Sequence, residues 1–182
     1  MIQISKKRIA NMAFVLLIGL LIYPPTKIHF IRLFSFSPKV EDRQRQKILK
    51  DSNWRLKGLN TKNINLIELD QQVVFVSFWA TWCPPCIAEM PSMKSLYEDY
   101  KNKVTFLFIT DEPWNTVAAF YNKNTYNFPS YHQQNEAPEE FEHTSIPATY
   151  IVSKDRRIVV SEKGAANWNT NGIRKQLDAL IK

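Results

Sequence analysis

The sequence predicts an α/β fold in which a central mixed β-sheet is flanked by helices, and three observations predict it. Two runs rich in valine and phenylalanine, residues 72–80 ("QVVFVSFWA") and 103–110 ("KVTFLFIT"), are apolar on both faces, as strands buried inside a sheet are. Each is followed by apolar residues at helical spacing: Met90, Met93, Tyr97 and Tyr100 after the first, and Trp114, Val117, Phe120 and Tyr121 after the second. Near the C-terminus, "ATYIVS" and "RIVVSE" read as a hairpin turned at Lys154, Asp155 and Arg156, and Ile173, Leu177, Leu180 and Ile181 mark a closing helix behind asparagine-rich caps.

The elements follow in chain order. The N-terminus reads "SKKRIANMAFVLLIGLLIYPPTK": a basic cluster (Lys6, Lys7, Arg8), a mostly apolar stretch from Ile9 to Tyr23, then Pro24 and Pro25. The stretch is shorter than the ~20 residues of a full span, and its length suits a cleavable signal peptide. No small-x-small cleavage site follows it, and no cysteine lies nearby to take a lipid. Residues 1–25 are therefore read as a cytoplasmic basic stub with an uncleaved signal-anchor helix, a cleaved signal and a buried helix being the alternatives. The positive-inside rule then keeps Lys6, Lys7 and Arg8 in the cytoplasm and sends everything after Tyr23 to the outer, periplasmic side of the membrane. Residues 26–51 hold no single period and read as a stem, with Phe30, Phe34 and Phe36 either at the membrane interface or packed on the domain. Residues 52–182 form the domain, opened by "NWRLKGLNTKNINLIEL", two short strands about a turn near Gly58 to Asn63. The stretches "NFPSY" and "APEEFEHTS" read as an irregular connection.

The formal charge of +7 is unevenly placed: six of 24 basic residues (Lys6, Lys7, Arg8, Lys27, Arg32, Lys39) precede residue 40, where there is no acid. The remainder is almost neutral, which argues against nucleic acid as a partner.

Chemistry concentrates in "FWATWCPPCIAEMP", which holds the only two cysteines, Cys83 and Cys86. At the start of a helix, positions i and i+3 lie on nearly one face, so the two sulfurs can meet. A bond closing so small a loop is a poor staple, and a zinc site would need more than two cysteines and the scattered His29, His132 and His143. A reactive dithiol fits the position better, because a helix N-terminus stabilises a thiolate through its dipole and free amides. Cys83 is then the attacking thiol and Cys86, a turn deeper, the resolving one. Pro84 and Pro85 remove two amide donors and leave chiefly the Cys86 N–H for Cys83. A less stabilised thiolate predicts a reducing or middling potential. Two cysteines in an exported domain also lie where disulfides form and persist.

"FWATWCPPC" behind a buried strand, Pro91 five residues after Cys86, and "SIPATYIV" farther on resemble the thioredoxin superfamily, and "WCPPC" followed by "AEMP" is most similar to its membrane-anchored TlpA/ResA branch of extracytoplasmic thiol-disulfide oxidoreductases. The resemblance spans roughly residues 52–182. It implies a thioredoxin-like fold, a redox-active Cys83–Cys86 disulfide in place of any cofactor or metal, and a cis Pro147 beside it, with Ile146 offering its backbone to the client. Trp82, Pro84 and Pro85 complete the implied client surface, and Trp79 shields the dithiol with Trp82. Thioredoxin itself has a buried aspartate where this chain has Ser77. Glu89, on the Cys86 face, is the replacement candidate, since ResA-like proteins carry a glutamate at the matching place. A part-buried carboxylate there would shuttle the Cys86 proton; the alternative is a solvated helix glutamate. Gly164 with "AANW" reads as a turn and cap with Trp168 packing, and His132 and His143 as loop histidines.

The leading expectation is a membrane-tethered protein-disulfide reductase, recharged by a membrane thiol-electron transporter and acting on disulfide-containing clients such as apocytochromes c or copper-site assembly proteins. The alternatives are a metallochaperone-like protein holding Cu(I) on Cys83, Cys86 and His143, and a peptide-binding thioredoxin-like module with little turnover.

Overall fold

A computed structural model describes residues 6–22 and 24–182. Its centre is a seven-stranded mixed sheet: β1 (Arg55–Gly58), β2 (Ile64–Asn65), β3 (Val74–Phe78), β4 (Thr105–Ile109), β5 (Ser130–Gln133), β6 (Ala148–Val152) and β7 (Ile158–Lys163), in spatial order β2-β1-β5-β4-β3-β6-β7. β3 lies parallel to β4 and antiparallel to β6, so it is paired on both edges, and all five of its side chains are buried, as its unbroken apolar run requires. The expected hairpins form: β1 pairs with β2, and β6 with β7. Gly58 ends β1 where a Cβ would lie 2.0 Å from the Thr61 carbonyl oxygen, so the turn admits no side chain.

One strand departs from expectation. The stretch read as irregular connection contains β5, which runs parallel to β4 and antiparallel to β1 and so joins the front hairpin to the sheet. Its sequence, Ser-Tyr-His-Gln, has neither alternation nor an apolar run. What makes it a strand is the pair of edges on either side of it.

Three helices follow the strands as expected: α3 (Pro84–Tyr100) after β3, α4 (Trp114–Asn124) after β4, and α5 (Asn171–Leu180) at the end, with Ile181 as its C-cap. The cap of α5 is Thr170, whose side chain accepts the Ile173 N–H, and not an asparagine. Two further helices, α1 (Lys6–Ile22) and α2 (Pro24–Leu33), precede the sheet.

The sheet divides the core in two. On one face Phe75, Phe106, Phe108 and Ile151 meet Met90 and Met93 of α3, Val117 and Tyr121 of α4, Ile173 and Leu177 of α5, and Trp168. On the other, Val74, Val76, Phe78 and Tyr150 meet Leu49, Trp54, Leu66, Leu69 and Phe141.

The segment read as a stem touches the domain at several points. α2 packs against α3, with Arg32 Nε donating to the Ala88 carbonyl at 3.2 Å. Val40 and Ile48 form bridges to Val160 and Arg157, and Leu49 is buried. Phe30, Phe34 and Phe36 are exposed, not packed on the domain. The expected anchor stretch forms α1, whose 17 residues rise about 26 Å. No helix among the described residues is long and apolar enough to cross a membrane. The first five residues of the expected stub, and Tyr23, lie outside the described residues.

Candidate active site

The loop leaving β3 brings Cys83 to the N-cap of α3, with Pro84 and Pro85 in the first turn, where an amide proton has no helical partner. Cys83 and Cys86 are joined in a disulfide, their Cα atoms 5.3 Å apart. The Cys86 amide lies 3.3 Å from Cys83 Sγ, aimed at that sulfur. Both cysteines are buried, whereas Trp82 beside them is 70% exposed and the two prolines are half-buried.

Two further loops close on this turn. The Ile146–Pro147 peptide, immediately before β6, is cis, with Pro147 buried and Ile146 half-buried. From the β4–α4 loop, Glu112 receives the Thr81 N–H at 2.5 Å and the Thr81 hydroxyl at 2.6 Å, while its own carbonyl is 2.7 Å from His132 Nε2. This clasp holds the residue two before Cys83. Between the loops lies an open pocket of about 160 Å³ lined by Trp79, Trp82, Glu112, His143 and Ile146 among others. His143, read as a loop histidine, stacks on Phe78 with ring centroids 4.1 Å apart. Trp79 is buried and stacks on Tyr121.

Glu89 sits one turn below Cys86, 2% exposed, so it is not a solvated helix glutamate. Burial pushes its carboxyl up to about 8, against the lowering effect of N–H donors from Trp168 and Ala166, and the Glu162 charge raises it a little further. Ser77 is fully buried on the same sheet face and accepts the Thr149 hydroxyl at 3.1 Å, so no carboxylate comes from that position. Pro91, inside α3, cannot donate to the carbonyl of Ile87, one turn back.

Cys83, Pro84, Pro85, Cys86 and Glu89 thus share the cap and first half of α3, Ile146 lines one pocket with Trp82, and Trp168, read as packing, is also a hydrogen-bond partner of Glu89. Glu112 and Thr81 were not singled out at all; the signal for them was an acid right after a buried strand, facing the polar residue of "ATWC". No group of three or more metal-binding side chains occurs among the described residues.

The family model described as "AhpC/TSA family" matches residues 50–161. Thiol-disulfide oxidoreductase ResA of Bacillus anthracis is 30% identical over 122 residues, covering 65% of this chain and 70% of the relative. Among solved structures, a DsbF homologue from Corynebacterium diphtheriae superposes with a TM-score of 0.60 at 21% identity, covering 81% of this chain and 99% of that one. StoA from Bacillus subtilis superposes with a TM-score of 0.54 at 22% identity, covering 70% and 95%. At these identities the structural likeness establishes the thioredoxin-like fold.

Proposed function

From the premise that the chain belongs to the AhpC/TSA family and is a ResA-like thiol-disulfide oxidoreductase, we propose that it is a membrane-anchored reductase of protein disulfides on the outer side of the cell membrane. The observation that carries the direction is the poverty of donors around Cys83: with Pro84 and Pro85 in the first turn, the Cys86 amide is the one helical N–H at its sulfur among the described residues. A weakly stabilised thiolate makes the dithiol the better electron donor.

The chemistry follows from the geometry. The Cys83 thiolate attacks one sulfur of a client disulfide, forming a mixed disulfide and releasing the client's first thiolate. Cys86 then loses its proton to Glu89, and its thiolate attacks Cys83 Sγ. The Cys83–Cys86 bond forms, the second client thiolate leaves, and two electrons have passed to the client. A carboxyl with its pKa pushed up to about 8 matches a thiol in proton affinity, which suits it to this exchange. Trp82, Pro84, Pro85, Ile146 and cis Pro147 form the surface on which the client chain rests. Basic Lys6, Lys7 and Arg8 ahead of the apolar α1 support an anchor with its N-terminus in the cytoplasm. A reductase in that place is recharged by a membrane thiol-electron transporter, and its clients are exported proteins that need free thiols, such as apocytochromes c and copper-site assembly proteins.

The test is a redox titration of the full chain in thiol buffers, with the Cys83–Cys86 bond followed by thiol trapping. A potential near ~−250 mV or lower is expected, and a value near ~−120 mV would make the protein a disulfide donor instead.

A further inference from the structure

The loop from β7 to α5 is tied to both parts of the redox region. Gly164, at φ +93°, turns the chain out of β7, and its amide donates to the Pro147 carbonyl at 2.9 Å. The Ala166 N–H donates to Glu89 Oε2 at 3.2 Å, and the Trp168 indole Nε1–H donates to the same oxygen at 3.0 Å. The Trp168 amide donates to Ser92 Oγ at 3.1 Å, and that hydroxyl donates to the Glu89 carbonyl at 2.7 Å. Glu89 Oε1, equally buried, has no hydrogen-bond partner among the described residues.

The asymmetry between the two oxygens has a chemical consequence. An oxygen accepting two N–H donors is a poor place for an acid proton, which would compete with those donors for its lone pairs. Trp168 is fully buried against Phe75, ring edge to face with centroids 5.1 Å apart, so its indole cannot turn away to water. We propose that Trp168 is a positioning residue for the dithiol chemistry: its indole N–H, with the Ala166 amide, holds Glu89 Oε2 as an acceptor and leaves Oε1 to exchange the Cys86 proton. This rests on the reading of Glu89 as the Cys86 base given above. In the resolving step the Cys86 S–H bond breaks and its proton goes to Oε1. The Cys86 thiolate then bonds to Cys83 Sγ, the client thiolate leaves, and Glu89 returns the proton to solvent.

The charged groups on neighbouring elements do not take over this role. Glu162 of β7 is like-charged, Lys163 is paired with Glu142, and Arg32 of α2 directs its Nε to the Ala88 carbonyl.

The experiment loads Cys83 of the full chain with 5-thio-2-nitrobenzoate and follows its release by Cys86 against pH. Trp168→Phe keeps an aromatic ring and removes the N–H that favours the carboxylate, so the midpoint of the profile rises by roughly one pH unit. Glu89→Gln takes the carboxyl out of the profile, which then follows the Cys86 thiol alone with a slower release near neutral pH, and the double variant behaves as Glu89→Gln alone. If Glu89→Gln leaves the wild-type profile intact, the reading of Glu89 fails and the inference with it. If Glu89→Gln changes the profile but Trp168→Phe keeps the wild-type midpoint, the positioning role alone is overturned. Should the Phe variant not fold, the Trp168 indole ¹H–¹⁵N resonance of the unmutated reduced chain decides. It is expected to titrate with the kinetic midpoint and to lose that titration in Glu89→Gln; a resonance indifferent to pH overturns the proposal.

Discussion

On one face of the sheet, Phe75 and Ile151 share their layer with a disulfide, a buried carboxyl and the loop that holds it; on the other, Val74, Val76 and Phe78 meet mainly apolar and aromatic groups around Trp54 and Phe141, with the His143 ring stacked on Phe78. Trp54 stacks on Phe78 at 5.9 Å and tilts against Phe141 at 5.6 Å, and it carries no hydrogen bond from its indole among the described residues. Trp168, the same residue type at the same zero exposure, does carry one, to a carboxylate oxygen. The difference teaches a division of labour: the face around Trp54 is held chiefly by packing, whereas the face covered by α3, α4 and α5 carries a buried acid held by two N–H donors.

The largest expected effect tests the packing face. Trp54→Ala removes contacts with Phe78 and Phe141 and is expected to lower the unfolding free energy by about 3–5 kcal/mol. Its rate of disulfide exchange per folded molecule should stay within about twofold, since the change leaves α3 and the Glu89 contacts in place. Denaturant unfolding alongside an exchange assay measures both. A rate that falls with stability would erase the division between the faces.

The next effect tests the other face through pH. The Glu89 carboxyl stands at about 8 in the fold against 4.5 unperturbed, so between these values the folded chain binds more protons than the unfolded one. Stability therefore falls as pH rises across that window and levels off above it. Between pH 5 and pH 7 the loss is about 2–3 kcal/mol by linkage. Glu89→Gln, neutral throughout, should remove that slope, so the difference between the two denaturation series isolates the carboxyl. Parallel series would mean that Glu89 reaches water in solution.

How much of this was legible follows from how local each feature is. The dithiol needs only a strand, a turn and one helical turn, and all three are written in "VVFVSFWATWCPPC". β5 was not legible because "SYHQ" has no strand pattern of its own; it is made by its pairing with β1 and β4. α2 hid behind two prolines, which break a helix interior but fit its first turn. Glu89 could be placed on the Cys86 face from its spacing, but its partners come from 77 and 79 residues away, and no periodicity connects them. A tryptophan in a polar stretch before a helix signals burial without saying what its N–H touches.

The smallest effect concerns the boundary between chemistry and stability, the disulfide itself. A loop with a sequence separation of 3 removes little entropy from the unfolded chain, about 2 kcal/mol at most in the chain-entropy model. Against this, reduction exposes a thiolate to the N-terminus of α3, and any stabilisation of that thiolate favours the reduced fold. Pro84 and Pro85 limit this gain, leaving the Cys86 amide as the helical donor seen at Cys83 Sγ. The oxidised protein is therefore expected to unfold with the higher free energy at pH 7, by up to about 2 kcal/mol. The comparison is made by denaturant unfolding of the oxidised chain and of the chain kept reduced. A reduced form more stable than the oxidised one would mean that the fold stores its stabilisation in the thiolate. The helix-covered face would then drive disulfides into clients, and the donor-poor turn at Pro84 and Pro85 would have been outweighed by charge elsewhere on that face.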